Sequence, residues 1–313
     1  METAAIILNG PGNLALDHVD LRDPVPGDLV VEIDHAGVST GTEKLLWSGG
    51  MPDFPGMGYP LVPGYEAVGR VVEAAPGTGF RPGEKVFVPG ADCYVDARGL
   101  FGANARRVVI AADRALRIDS SLCEEGALIA LAATAYHALA APGASDPDLI
   151  IGHGVLGRLM ARIAIARGAP PPTVWETDPL RRGGTHDYEI LDPEDDYRSD
   201  YGTIIDASGA EDILDIAISR LAKGGEVVLA GFYAKPLSFI YPPAFLREAR
   251  IRVSAEWAVD DLLAIRSLIE MGSLALGGLV THTAPAAAGA AAYQAAFSDP
   301  SCLKMIIDWK GHP

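Results

Sequence analysis

Gly152-His153-Gly154-Val155-Leu156-Gly157 is the stretch on which the reading of the fold turns. A G-x-G-x-x-G alone is a weak signal, and its surroundings decide what it means. The apolar run Leu149-Ile150-Ile151 precedes it as a buried strand. Arg158 to Arg167 follows with helical composition and stops at Gly168 and Pro170-Pro171-Pro172. A second strand, Thr173 to Thr177, comes next, and Asp178 closes it about 20 positions after the last glycine. Strand, glycine turn, helix, strand and acid in that order form a dinucleotide-binding fingerprint.

Each residue of the fingerprint has a physical task. Gly152 permits the tight turn, Gly154 lets backbone approach a pyrophosphate, and Gly157 lets helix and strand pack closely. Val155 and Leu156 open the helix, whose unpaired N–H groups and positive dipole end face the phosphates. Asp178 can accept from both ribose hydroxyls and repels a 2′-phosphate, which predicts NAD over NADP. Arg181 and Arg182 lie just beyond and would soften that preference. His153 either faces the cofactor or caps the turn, and the cap is the reading taken.

Outward from this turn, the alternation continues. Thr203 to Asp206 reads as a strand, Glu211 to Leu221 as a helix stopped by Gly224-Gly225, and Glu226 to Ala230 as a strand. This predicts an α/β unit with a parallel sheet. The charged segment Pro179 to Tyr201 has room for one short strand, Tyr188 to Leu191, but not for the usual crossover helix. Upstream, Ala4 to Leu8, Leu29 to Ile33, Ala67 to Ala74, Lys85 to Val88 and Arg107 to Ala111 are short β runs between Gly/Pro turns, which predicts a barrel or sandwich-like unit. Glu124 to Ala140 reads as a helix. Downstream, the helices Asp260 to Met271 and Ala286 to Phe297 and the strand Leu303 to Ile307 return to the first unit.

Composition narrows the function classes. At 313 residues the chain has room for two domains or one large one. It is 49% hydrophobic and 21% charged, which excludes intrinsic disorder. With 25 Lys and Arg against 41 Asp and Glu, the net charge of −16 argues against nucleic acid and anionic membrane surfaces. Cys93, Cys123 and Cys302 are too scattered for a disulfide framework or a four-cysteine zinc lobe, and Cys123 and Cys302 read as inert buried thiols. The longest apolar stretch, Gly126 to Ala141, is short for a membrane span and reads as a buried helix. A cytoplasmic protein without a membrane span is expected.

The whole chain resembles the medium-chain dehydrogenase/reductase superfamily. Four stretches carry the resemblance in the family's order: Ala36 to Glu43 as the catalytic loop, Pro63-Gly64-Tyr65-Glu66-Ala67-Val68-Gly69 as the G-H-E-x-x-G element, Thr134-Ala135-Tyr136-His137-Ala138-Leu139, and the glycine turn with Leu221 to Val228. The long loop from Ser39-Thr40-Gly41-Thr42-Glu43-Lys44 through Trp47-Ser48-Gly49 to Pro55-Gly56-Met57-Gly58-Tyr59-Pro60 is similar to the branch that acts in bacteriochlorophyll synthesis, and hence in photosynthesis. The resemblance implies a GroES-like β-rich catalytic domain over residues 1–143, completed by 258–313, and a Rossmann NAD-binding domain over 144–257. It implies NAD-dependent oxidation of a macrocycle's 1-hydroxyethyl group to acetyl, with a tetrapyrrole, bacteriochlorophyllide, as substrate and a homodimer as the assembly. A zinc-free quinone or enone reductase of the same superfamily, and a non-catalytic dinucleotide-binding protein, stay open as alternatives.

The departure from the superfamily's pattern is at its zinc ligands. The family places a cysteine, a histidine and usually a second cysteine where this chain has Ser39, Tyr65 and Ala130. One remaining carboxylate, Glu66, is too few donors for catalytic zinc, so no metal residue is carried over. Ser39 and Tyr65 are then expected to touch the substrate oxygen. Thr42, a desolvated Lys44 and a hydroxyl chain through Thr40 are candidates for moving the proton, Thr40 also lying on the cofactor side. Glu66 is either a scaffold or a general base, with scaffold the preferred reading. Trp47, Met51, Phe54, Met57 and Tyr59, with Phe101 beyond, are expected to wall a flat apolar ligand. Arg106 and Arg107 either meet a propionate or form surface ion pairs, and the second is the reading taken. His137 reads as a satisfied core histidine.

Overall fold

The computed structural model of the chain describes residues 1–53 and 55–312. Its contacts group into two compact units, one of Met1–Ala130 with Leu276–Pro313, the other of Leu131–Ala275. It is an α/β protein with a β-rich unit and a doubly wound unit. Among the described residues no helix is long and apolar enough to cross a membrane.

The first unit is built on the strand Asp28–Val38, eleven residues and almost wholly buried. Ala67–Ala74 and Arg107–Ala111 pair antiparallel with it. So does Met305–Asp308 from the far end of the chain, in a register that sets Met305 opposite Val38. Ala67 stands opposite Ala36 in the same sheet. These two registers bring residues 39, 65, 66 and 304 to one end of the sheet. A Cβ on Gly69 would lie 2.2 Å from the Glu32 carbonyl oxygen, so only glycine fits that crossing. A second, four-stranded sheet runs in the order Asn13–Asp20, Glu2–Gly10, Leu61–Val62, Arg98–Gly99. Ile6, Val31, Ile33, Val71, Val86 and Ile307 belong to the core of this unit.

The second unit is a six-stranded parallel sheet in the order Glu189–Leu191, Thr173–Trp175, Leu149–Ile151, Tyr201–Asp206, Leu221–Leu229, Arg250–Val253. Strand Leu149–Ile151 is fully buried and leads into helix Val155–Ala166. Between Pro179 and Tyr201 the only helix is the four-residue turn Pro179–Arg182. Parallel strands Thr173–Trp175 and Glu189–Leu191 are thus joined without a full crossover helix.

Several elements differ from the sequence reading. The Leu29 strand runs on to Val38, and Glu226's strand begins at Leu221, across the glycine pair read as a helix stop. That strand has neighbours on both sides, and Arg250–Val253 is the outer strand of the sheet. Thr42–Ser48 is a helix rather than loop, closed by Gly49 at φ +72°. Strand Asn13–Asp20, in which Val19 alone is buried, has no counterpart in the sequence reading. Cys123, just ahead of the turn Glu124–Leu128, is exposed, whereas Cys93 and Cys302 are buried.

Candidate active site

Ser39 follows the last residue of the long strand and is buried. Tyr65 lies on the segment leading into the neighbouring strand, and its hydroxyl donates to Ser39 Oγ at 2.8 Å. Burial first, and then the charge of Glu66, push the Tyr65 phenol upward. It therefore stays protonated near neutral pH and is a donor, not a tyrosinate base. Thr42, at the start of its helix, also reaches the Tyr65 hydroxyl.

Zinc does not fit this donor set. Ser39 and Tyr65 are two neutral hydroxyls bonded to each other, where catalytic zinc needs donors such as thiolate and imidazole. Among the described residues no group of three or more His, Cys, Asp or Glu is placed to hold a metal ion.

Glu66 is fully buried and ion-paired with Lys304, itself 1% exposed. Burial raises the carboxyl and the ammonium opposes that rise. The Glu66 carbonyl also accepts from Gly37 N–H at 2.6 Å, and a Cβ at Gly37 would lie 2.6 Å from the Glu66 carboxylate. Lys304 carried no signal in the sequence, because its partner lies more than two hundred residues upstream. Lys44 is exposed and its ammonium donates to the Phe297 carbonyl at 3.3 Å, so the desolvated setting expected of it is absent. Thr40 is exposed.

The expected wall assembles in part. Trp47, Met51, Met57, Tyr59 and Phe101 are half-buried and pack on the small core of Leu8, Leu46, Leu61 and Leu100. Phe101 meets Tyr65 edge-on, with ring centres 5.3 Å apart. Tyr59 donates to the Leu46 carbonyl at 2.6 Å. Phe297, not singled out in the sequence, stacks obliquely on Trp47 at 5.6 Å. Phe54 lies outside the described residues. Arg106 and Arg107 both pair with Glu32, at 3.3 Å and 3.0 Å, as surface ion pairs.

In the second unit the glycine turn has the expected form. Gly152 has φ +98°, and a Cβ there would also meet Ser208 backbone at 3.1 Å. A Cβ on Gly157 would sit 1.9 Å from the Gly152 carbonyl oxygen. Gly154, by contrast, has open space around its Cα and caps helix Val155–Ala166 without a side-chain cap. Its N–H groups and those of Val155 and Leu156 thus lie at an uncapped helix start, which fits a pyrophosphate. His153 braces the turn from behind. It is fully buried, with Nδ1 2.7 Å from the Arg181 carbonyl and Nε2 2.9 Å from the Tyr188 hydroxyl. Burial pushes its pKa down to about 4, so it is neutral.

Two carboxylates share the end of strand Thr173–Trp175. Asp178 accepts from Leu180 N–H as the cap of the short helix and lies 3.8 Å from Arg181. Glu176, which the sequence reading passed over, accepts from His153 N–H at 3.1 Å and from Asp178 N–H at 2.9 Å. It is nearer the strand than Asp178, and a spacing rule of about 20 residues cannot separate the two. Arg182 is tied to Asp192 and to the carbonyls of Glu176 and Thr177. His137 is half-buried and bonds Asp261 at 2.8 Å rather than sitting in a sealed core.

Comparison with known proteins adds to this geometry. The alcohol dehydrogenase GroES-like domain matches residues 25–120. The chain is 59% identical over 315 residues to the 2-desacetyl-2-hydroxyethyl bacteriochlorophyllide A dehydrogenase of Cereibacter sphaeroides, covering 99% of both chains. Among solved structures, an E. coli short chain alcohol dehydrogenase complexed with NADH aligns with TM-score 0.83 at 20% identity, over 98% of this chain and 99% of that one. A putative zinc-binding dehydrogenase from Sinorhizobium meliloti bound to NADP aligns with TM-score 0.80 at 19% identity, over 98% and 99%. At such identities the structural likeness speaks for the fold alone.

Proposed function

We propose that this chain, which belongs to the medium-chain dehydrogenase/reductase superfamily and there to the bacteriochlorophyllide a dehydrogenases, oxidises the 1-hydroxyethyl group of a bacteriochlorophyllide to acetyl, with NAD and without zinc. The observation that carries the zinc-free part is the Tyr65–Ser39 hydrogen bond at the positions where zinc relatives place metal ligands. The substrate rests on the name of a relative 59% identical over the full length.

The oxidation removes a hydride and a proton from the carbinol. NAD, when bound, supplies the hydride acceptor. The uncapped N–H groups around Gly154, Val155 and Leu156 would hold its pyrophosphate, with Gly152 and Gly157 giving the turn its shape. Thr40 is kept as a cofactor-side contact. The paired carboxylates Glu176 and Asp178 disfavour a 2′-phosphate, and Arg182 is already tied to Asp192. This supports NAD over NADP.

On the proton side, Tyr65 donates to Ser39 and so orients the serine hydroxyl. Ser39 then meets the carbinol oxygen and takes part in moving its proton, with Thr42 on the same hydroxyl chain. Glu66 holds the loop through Gly37 and Lys304 rather than acting as base. Lys44, exposed, is the outermost relay candidate. The conjugated ring favours the ketone product, which lowers the demand for a Lewis acid. Trp47, Met51, Met57, Tyr59 and Phe101 supply an apolar surface for a flat ring.

Strand Arg250–Val253 is an exposed sheet edge, with Val253 76% exposed, and supports a homodimer paired along it. The three free cysteines support a reducing, cytoplasmic setting. The test is spectroscopic. Purified protein with NAD and hydroxyethyl bacteriochlorophyllide should shift the pigment's long-wavelength band while NADH appears. Turnover of an enone with NADPH, and none of the pigment, would overturn the reading.

A further inference from the structure

Helix Thr42–Ser48 buries Glu43 completely, and the chemistry above makes no use of it. The groups around it all donate in one direction. Trp309 Nε1–H can only donate, and it lies 3.0 Å from Asn104 Oδ1. That fixes the amide, so Asn104 Nδ2 donates to the Tyr293 oxygen at 2.8 Å. The Tyr293 proton must then go to Glu43 Oε2, 2.6 Å away. Oε2 is therefore an acceptor. Oε1 is buried and has no hydrogen-bond partner.

Charge counting points the same way. Glu43 and Glu66 are fully buried, and Lys304 is 1% exposed. Lys304 is paired with Glu66. If all three were ionised, one carboxylate charge would remain buried without a counter-ion. An isolated buried carboxylate is far costlier than a buried carboxylic acid. Oε2 already accepts the Tyr293 proton at the end of the chain of donors, so the missing proton belongs on Oε1.

We propose that Glu43 is kept as a neutral carboxylic acid at neutral pH and is a positioning residue for the Ser39–Tyr65 pair. Its backbone N–H bonds the Ser39 carbonyl at 3.2 Å, so it sits directly beneath that loop. While it is neutral, Glu66 is the one buried anion acting on the Tyr65 hydroxyl among the described residues. Once ionised, it adds a second negative charge that opposes charge build-up on a carbinol oxygen losing its proton. The charged and titratable groups facing it are Tyr293 from helix Gly289–Ser298, Glu66 and Tyr65 from the segment before strand Ala67–Ala74, and Lys304 before the last strand. Burial first pushes the Glu43 carboxyl up to about 8; the Tyr293 hydrogen bond pulls it back, the Glu66 charge adds to the rise and Lys304 opposes it. The influence on turnover rests on the dehydrogenase reading, and the protonation does not.

Two measurements test this. Infrared difference spectra of the native protein against Glu43→Gln should show the carbonyl stretch of a protonated carboxyl at pH 7, lost as pH rises through about 8. In Tyr293→Phe, which removes the donor to Oε2, that loss should move to higher pH. No such band at pH 7, or a band unmoved by Tyr293→Phe, overturns the protonation. In the rate profile, kcat of the native enzyme should fall about tenfold above that pH, while Glu43→Gln loses the fall and outpaces the native enzyme there. An unaltered fall in Glu43→Gln overturns the positioning role. A band that behaves as described in a protein with no pigment turnover supports the protonated Glu43 and overturns only the substrate reading.

Discussion

In the second unit the dinucleotide turn is made of backbone within six consecutive residues, and Gly152 and Gly157 are required there by close approaches to Ser208 and Gly152 backbone. In the first unit the hydroxyl and charge cluster is made of side chains at 39, 43, 65, 66, 104, 293, 304 and 309, joined by two sheet registers and the helix Gly289–Ser298. The first kind of site is a local constraint that a short motif announces. The second exists only once the chain end has returned to the strand Asp28–Val38.

The largest expected effect breaks the long-range side of this comparison. Lys304→Met leaves Glu66 buried without its counter-ion and should cost about 3–5 kcal/mol in urea unfolding. Adding Glu66→Gln should recover much of it, and full additivity of the two changes would show that they do not act as a pair.

The local side is next. Gly157→Ala puts a Cβ 1.9 Å from the Gly152 carbonyl oxygen and should cost about 3 kcal/mol with loss of measurable NAD binding by calorimetry. Normal binding would mean that the turn tolerates displacement.

A pH experiment sharpens the contrast within the second unit. His153 has its pKa pushed down to about 4 by burial, against an ordinary value of 6.5. The unfolded chain therefore takes up a proton that the folded one refuses. Stability present above about pH 6.5 should decline down to about pH 4, by up to about 3 kcal/mol. Thermal unfolding of His153→Gln should be flatter across that window, and an identical slope would remove His153 from the account.

Smaller effects separate neighbours. Asp178→Asn should relax discrimination against NADP about tenfold, whereas Glu176→Gln, which loosens the glycine turn, should weaken NAD and NADP alike; steady-state KM values for both cofactors decide it. Trp47→Ala should raise KM for the pigment several-fold, by about 1 kcal/mol, and leave KM for NAD in place. Equal effects on both would make Trp47 a packing residue only.

What was legible in the sequence follows the same division. Strands Ala67–Ala74, Lys85–Val88, Arg107–Ala111 and Leu149–Ile151 keep the bounds read from their apolar runs, because burial on the strand and turn residues at its ends coincide. Helix Thr42–Ser48, seven residues between glycines, is too short for a periodic signal. Ser39 and Tyr65 could be paired only through resemblance, and their hydrogen bond needs the register of Ala36 against Ala67. Glu43, Asn104, Tyr293 and Lys304 each look ordinary in sequence. Their meaning lies in partners up to 250 positions away. Glu176 and Asp178 stood two residues apart, and only the hydrogen bonds of the glycine turn told them apart.

The most direct measurement of the central claim is the metal content and turnover of one sample. After chelation, the protein assayed with NAD and hydroxyethyl bacteriochlorophyllide should oxidise the pigment at its full rate, with metal far below one ion per chain. A rate lost on chelation and restored by zinc alone would contradict a hydroxyl-based site at Ser39 and Tyr65.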